Sequence, residues 1–102
     1  MTVTTKKRTL VTIVSESLIE GRLIEAIIGL GVKGYSVSAC RGDSIGTIRA
    51  SEWSGDNIQI QTLVNAELSD KILAMLQRDF LGTYALVAFR TEVEVLRAEK
   101  FE

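Results

Sequence analysis

The residues best suited to chemistry in this chain are an arginine–glycine pair and the polar tract after it. Arg41 and Gly42 follow a short β-like run, and residues 43–56 hold mostly small polar or charged side chains, with Arg49 and Trp53 among them. Guanidinium groups and the backbone N–H groups of glycine-containing loops are donors that bind oxyanions. Because compact domains seldom contain long connections that bind nothing, this tract is expected to be a ligand- or partner-responsive loop.

The residue inventory excludes several kinds of catalytic and metal site. The chain has no histidine and a single cysteine, Cys40, so nucleophilic Ser–His or Cys–His catalysis lacks its usual base. The same counts leave almost no soft or imidazole ligands for a metal. One cysteine cannot form an internal disulfide, which fits a reducing compartment. With no membrane-length apolar run and no leader pattern, we expect a cytoplasmic, non-enzymatic protein that requires no cofactor.

Length and charge predict one domain with a partly uncovered apolar surface. The chain has 102 residues, of which 46% are hydrophobic. A domain this short leaves apolar surface exposed, which favours oligomerisation. Twelve basic and 13 acidic residues nearly balance, so no global field attracts nucleic acid. We assign residues 1–102 to a single domain, in which residues 1–7 are expected to form a disordered arm.

Hydrophobic periodicity predicts two β-α-β units on either side of the polar tract. The first helix has the spacing of a capping box, Ser17 and Glu20, and is expected to end at the glycines between positions 29 and 34. The second helix is expected to begin after an Asn65 cap and to end at Gly82. The predicted strands are Thr9–Val14, Tyr35–Cys40, Ile58–Val64, Thr83–Phe89 and a short Glu92–Leu96.

This element order predicts an α+β, ferredoxin-like βαββαβ domain with a short extra C-terminal strand. Both helices would cover one face of an antiparallel sheet. We expect Val11, Val37 and Val87 to make the other face partly apolar, so that it needs a partner subunit. RNA-recognition domains and acylphosphatase-like enzymes share this architecture. However, the chain lacks a run of exposed strand aromatics, and Glu16 stands where an acylphosphatase-like enzyme would bind an anion.

Three segments resemble the PII superfamily of signalling proteins. Residues 23–42, LIEAIIGLGVKGYSVSACRG, are similar to the PII stretch in which glycines end the first helix. There, a G-[M/Y]-[S/T]-V-S-x-x-R-G strand opens the segment known as the T-loop. Residues 79–85, DFLGTYA, and 94–97, EVLR, are similar to the fourth strand and the C-terminal segment. The resemblance extends over residues 8–101 and places the T-loop at residues 43–56.

The resemblance favours PII-like proteins tied to inorganic carbon over those of nitrogen signalling. Nitrogen-type PII proteins have a G-D-G-K phosphate cradle, where this chain has Thr83-Tyr84-Ala85-Leu86. The loop also lacks an evident tyrosine for uridylylation. Its short length, with Gly42, Ser44 and Arg49, is more similar to the bicarbonate-transporter-associated and carboxysome-associated proteins. A nitrogen-type PII regulator is the alternative.

The carbon-type resemblance implies a homotrimeric signalling protein. Such a protein would bind ADP or AMP, with ATP as a further candidate, in clefts between subunits, and bicarbonate as a second ligand. The T-loop would then regulate a transporter or carboxysome protein in inorganic-carbon uptake or fixation, and the chain would reach either location through that partner. Two rivals are a slow nucleotide-hydrolysing enzyme and a related trimeric metal-tolerance protein, whose ligands this chain lacks.

The candidate site residues combine hydroxyl, guanidinium and apolar groups. An adenine ring needs apolar walls and a few groups that read its edge, whereas phosphate or bicarbonate suits guanidinium forks. Each residue also has a structural alternative, such as a subunit-interface ion pair for Arg41, and the roles of Trp53 and Cys40 stay open. The candidate nucleotide-binding residues are Ser36, Arg41, Gly42, Ser44, Arg49, Leu86, Arg90 and Arg97, and the candidate effector-loop residues are Asp43, Ile45, Gly46, Thr47 and Trp53.

Overall fold

Two helices pack on one face of a four-stranded antiparallel sheet, in which the strands lie side by side in the order Ser36–Cys40, Asn57–Val64, Lys6–Glu16 and Leu86–Val95. The computed structural model describes residues 2–41 and 57–97. The α+β, ferredoxin-like prediction is confirmed, while the expected T-loop, residues 43–56, lies outside the described residues. The elements are β1 (Lys6–Glu16), a 3-10 turn (Ser17–Ile19), α1 (Glu20–Leu30), β2 (Ser36–Cys40), β3 (Asn57–Val64), α2 (Ala66–Asp79) and β4 (Leu86–Val95).

The core lies between the sheet and the helices, and β3 shows why. Ile58, Ile60 and Val64 are buried, and they alternate with half-buried residues such as Gln59 and Gln61. Successive strand residues point to opposite faces, so one face of β3 packs under the helices and the other stays open. This alternation confirms the strand that hydrophobic periodicity predicted for this segment. No described helix is long and apolar enough to cross a bilayer.

The first helix ends as predicted but begins differently. Gly31 caps it in the left-handed region at φ 114°, a conformation that glycine adopts without a Cβ penalty. The predicted capping box is wrong. β1 continues to Glu16, so Ser17 enters the 3-10 turn directly, and Ile19 takes the N-cap position without a side-chain hydrogen bond.

The second helix begins as predicted and ends earlier. The Asn65 side chain accepts a hydrogen bond from the backbone N–H of Leu68 at 2.8 Å, which confirms the cap. Gly82 does not end the helix. The backbone N–H groups of Phe80 and Leu81 both donate to the Leu76 carbonyl, at 3.0 and 2.9 Å, so the helix closes before Gly82 is reached.

The observed strand boundaries differ from the predicted ones because β1 is longer than its local sequence pattern indicates. Its eleven residues give β4 a partner from Leu86 to Val95. The predicted strand Thr83–Phe89 and the extra strand Glu92–Leu96 are therefore one continuous strand that begins later. Positions 6 and 7, expected in a disordered arm, belong to β1. Lys7 lies 3.6 Å from the Glu92 carboxylate there.

The register corrects which valines face away from the helices. Val11 is fully buried on the helix face, and Val37 pairs with Ile60 on that same face, so both predictions are wrong. Val87 is on the open face as expected, 57% exposed, and Phe89 is 52% exposed beside it. We call Val87 and Phe89, with their β1 neighbours Leu10 and Val14, the open-face patch.

Candidate functional site

Four strand termini meet at one end of the sheet. β1 ends at Glu16 and β2 at Cys40, while β3 begins at Asn57 and β4 at Leu86. The register pairs Asn57 with both Cys40 and Glu16, and it pairs Leu86 with Ser15 one row further in. We call this the loop end of the sheet. Arg41, the start of α1 and the turn before β4 all adjoin it.

The predicted site residues are divided between the two edges of the sheet. Ser36 and Arg41 belong to or follow β2, whereas Leu86, Arg90 and Arg97 belong to or follow β4. β2 and β4 are the outer strands, and three spacings of about 4.8 Å separate them by about 14 Å. A single chain therefore does not bring these two groups together.

On the β2 edge, Ser36 and Arg41 are both exposed. Ser36 lies on the open face in a row with Gln61, Thr12 and Phe89. Gln61 donates to the Thr12 hydroxyl at 3.4 Å, so polar groups occupy the β2 half of this row. Arg41 follows the last residue of the strand directly, which places its guanidinium at the loop end.

On the β4 edge, the three predicted residues have different surroundings. Leu86 is 7% exposed and belongs to the core, so its side chain is not accessible to a ligand in the single chain. Arg97 is exposed, in the left-handed region at φ 61°. It follows β4 at the end opposite to the loop end, because the nine residue steps from Leu86 to Val95 span roughly 30 Å.

Arg90 is engaged with α2. Its Nη1 donates to the Asp70 carboxylate at 2.5 Å and to the Ser69 hydroxyl at 3.1 Å. This places an ion pair between β4 and α2, so Asp70 already neutralises the Arg90 charge. The pair borders an open depression of about 300 Å³ lined by Thr9, Ala66, Asp70, Arg90, Thr91 and Glu92.

A buried side-chain oxygen at the loop end has no hydrogen-bond donor among the described residues. Asn57 is 3% exposed, and its side-chain oxygen Oδ1 accepts no hydrogen bond there. A buried acceptor without a donor costs about 1–3 kcal/mol. Its neighbour Cys40 has a free, half-buried thiol. The unsatisfied oxygen identifies the loop end as a place where an additional donor would be stabilising.

The sequence did not point to two further residues at the loop end. Arg22, on α1, donates from Nη1 to the hydroxyl of Tyr84 at 2.5 Å. Tyr84 precedes β4 within a segment that resembles PII proteins. No sequence feature pointed to Arg22, because exposed arginines are common on helices and its partner Tyr84 is 62 positions away.

Two observations describe the ionisable side chains of the described residues. Within 2–41 and 57–97 there is no group of three or more acidic or cysteine side chains that could hold a metal. Hydrogen bonds from Arg78 lower the pKa of Asp79, and the same contact raises the pKa of Arg78. Both side chains are exposed near the C-terminus of α2, where water screens the pair strongly.

Eight of the predicted site residues lie outside the described residues. They are Gly42, Asp43, Ser44, Ile45, Gly46, Thr47, Arg49 and Trp53. They were predicted to bind the nucleotide phosphates or to form the effector loop. Both roles stay predictions. Their position in the sequence, between β2 and β3, connects them to the loop end directly.

Comparison with known proteins gives consistent matches over nearly the whole chain. The model of the family described as nitrogen regulatory protein P-II matches residues 8–100. A PII-like signalling protein from Thermus thermophilus is 40% identical, with a TM-score of 0.84 over 98% of this chain and 100% of that one. No match was found among curated proteins.

Two structures of the protein CPII from Thiomonas intermedia share the fold. CPII bound to ADP, AMP and acetate is 22% identical, with a TM-score of 0.85 over 97% of this chain and 98% of that one. CPII bound to ADP and bicarbonate is 23% identical, with a TM-score of 0.80 over 99% of this chain and 100% of CPII.

Proposed function

Because the chain belongs to the P-II family of signalling proteins, we propose that it is a homotrimer that binds adenine nucleotides between its subunits. The ligands are ADP or AMP, with ATP as a further candidate, and bicarbonate acts as a second ligand. Ligand binding changes the conformation of residues 43–56. A transporter or carboxysome protein in inorganic-carbon uptake or fixation reads that change, and the protein itself catalyses no reaction.

The division of the site between two sheet edges carries this proposal. Arg41 and the turn before β4 both adjoin the loop end, but they lie at opposite edges of the sheet. A closed ring that places the β2 edge of one subunit beside the β4 edge of the next would join them. Head-to-tail contacts of this kind close into rings when the rotation between subunits permits.

The open-face patch supports association. Val87 and Phe89 are more than half exposed in the single chain, although each is paired with a residue of β1. Burying apolar surface contributes about 25 cal/mol per Å², so covering these side chains favours a ring in which the open faces point inward. This arrangement leaves the helices on the outside.

The chemistry of the β2 edge supports the choice of ligands. Arg41 is exposed, and its planar guanidinium can donate two parallel hydrogen bonds to a phosphate or to a small planar anion such as bicarbonate. CPII, which shares the fold, is bound to ADP and AMP in one structure and to ADP and bicarbonate in another. Ligand-dependent switching then requires only that the ligand bind the conformations of residues 43–56 unequally.

Isothermal titration combined with light scattering tests the proposal. ADP, AMP, ATP and cyclic AMP are titrated with and without bicarbonate, and the mass of the free protein is measured in parallel. We expect a trimer that binds at least one of these nucleotides more tightly than millimolar, with an affinity that bicarbonate changes. A monomer, or a trimer with no measurable nucleotide affinity, would refute the proposal.

A further inference from the structure

An exposed arginine of α1 is held against the turn that precedes β4. The Arg22 guanidinium donates to the Tyr84 hydroxyl oxygen at 2.5 Å. Tyr84 is itself well anchored, because its ring lies 5.8 Å from that of Phe80 and its backbone N–H donates to the Phe80 carbonyl at 2.9 Å. A long and otherwise flexible side chain is thereby positioned by a rigid support.

In the part of the chain that the structure describes, Arg22 has no carboxylate partner, unlike two other arginines. Arg78 is paired with Asp79, and Arg90 is paired with Asp70. The partner of Arg22 is a neutral phenol, and within residues 2–41 and 57–97 it forms no ion pair.

The pair therefore has hydrogen-bond donors to spare. A guanidinium carries five N–H donors, of which the contact with Tyr84 uses one. The Tyr84 hydroxyl accepts that bond and retains its own proton as a donor. A positive charge surrounded by unused donors, with one donor held in place, is suited to bind an oxyanion.

The pair also lies at the loop end. Tyr84 is two positions before Leu86, whose register partner is Ser15. The helix that carries Arg22 begins four positions after the last residue of β1. Arg22 and Tyr84 thus occupy the β4 edge of the same end of the sheet at which Arg41 occupies the β2 edge.

We propose that Arg22 and Tyr84 form the β4-edge half of the nucleotide site and bind its phosphate groups. Arg41 of the partner subunit would bind them from the other side of the cleft. This inference rests on the proposed function, because it requires an adenine nucleotide between subunits. It adds a phosphate-binding pair and predicts that affinity depends on phosphate charge, so ADP should depend on Arg22 more than AMP.

Calorimetric titration of ADP, AMP and adenosine into matched variants tests this inference. Arg22→Gln should weaken ADP binding roughly tenfold, as expected for loss of a charge-assisted hydrogen bond, and AMP binding less. Tyr84→Phe keeps the ring and removes only the hydroxyl, so we expect a loss of about threefold. Adenosine has no phosphate, and its affinity should be the same for the wild type and for Arg22→Gln.

Lys71→Gln provides the matched control. Lys71 is an exposed helical cation that pairs with Glu67 in the first half of α2, on the side of the molecule away from the loop end. Its replacement removes one positive charge without touching the proposed site. We expect the ADP affinity of this variant to stay within about twofold of the wild type, since the charge is distant and screened.

The outcomes separate this inference from the proposed function. If ADP binds the wild type and Arg22→Gln equally well, the inference is wrong and the proposed function stands. If ADP does not bind the wild type, the proposed function fails and the inference fails with it. If Arg22→Gln loses adenosine and ADP affinity to the same extent, the phosphate role is refuted.

Discussion

The two edges of the sheet differ in how firmly they are held. β4 pairs with β1 over ten residues, and it is tied to α2 through Arg90 and Asp70. β2 has only five residues, pairs with β3 in the described sheet, and is exposed at every position except Cys40. Segments with few buried contacts open and rearrange at the lowest cost. The β4 edge is therefore the more firmly held of the two, and the β2 edge is where the proposed function places the ligand-dependent change.

The largest expected effect comes from a variant that should dissociate the trimer and so separate the β2 edge of one subunit from the β4 edge of the next. Phe89→Asp places a carboxylate in the open-face patch, where the proposed ring would bury it close to the same residue of the other subunits. Burial of an unpaired charge is costly, so we expect loss of the trimer and, with it, loss of nucleotide binding. Light scattering and calorimetry on the variant measure both.

Ile28→Asp is the control for this variant. Ile28 is 50% exposed, close to the value for Phe89, but it lies on α1 on the helix side of the sheet. The control should stay trimeric. Because Phe89 is half exposed in the single chain, the Phe89→Asp monomer should keep its circular dichroism spectrum. A trimeric Phe89→Asp protein would show that the open face is not the interface.

The next largest effect concerns the charge on the β2 edge. Arg41→Gln should weaken ADP binding by roughly tenfold or more while the protein stays trimeric, because one charge-assisted phosphate contact is lost. Lys33→Gln, a loss of charge at another exposed position before β2, serves as the control. Equal ADP affinities for Arg41→Gln and the wild type would remove Arg41 from the site.

The sequence predicted those features of the fold that depend on local chemistry. The alternation in β3, the Asn65 cap and the glycine end of α1 each follow from a few neighbouring residues, and the structure confirms them. The family resemblance was also accurate, because it rests on a contiguous strand motif that includes Ser36 and Arg41.

The features that failed depend on partners distant in the sequence. β4 continues to Val95 because β1 extends back to Lys6, and no local pattern shows how long a partner strand is. The faces of Val11 and Val37 follow from register, in which a shift by one residue exchanges the two faces. Arg22 was missed for the same reason, since only the folded chain brings it to Tyr84.

A smaller effect should be confined to stability. Asn65→Ala removes the side-chain cap of α2, and such losses cost about 1 kcal/mol. We expect the free energy of unfolding, measured with urea, to fall by that amount. Nucleotide affinity should not change, because the cap lies at the end of the sheet opposite to the loop end. A loss of affinity without a loss of stability would contradict this assignment.

The smallest expected effect tests whether Arg90 links β4 to α2 or binds the ligand. Its ion pair with Asp70 has side-chain exposures of 43% and 72%, and pairs this exposed contribute about 0.2–1 kcal/mol. Arg90→Gln should therefore lower the free energy of unfolding by about 0.5 kcal/mol and leave ADP affinity within about twofold. A roughly tenfold loss of affinity, similar to that expected for Arg41→Gln, would instead mean that Arg90 leaves Asp70 to contact the phosphates. In that case the β4 edge would rearrange on binding, and the contrast between a fixed and a changeable edge would fail.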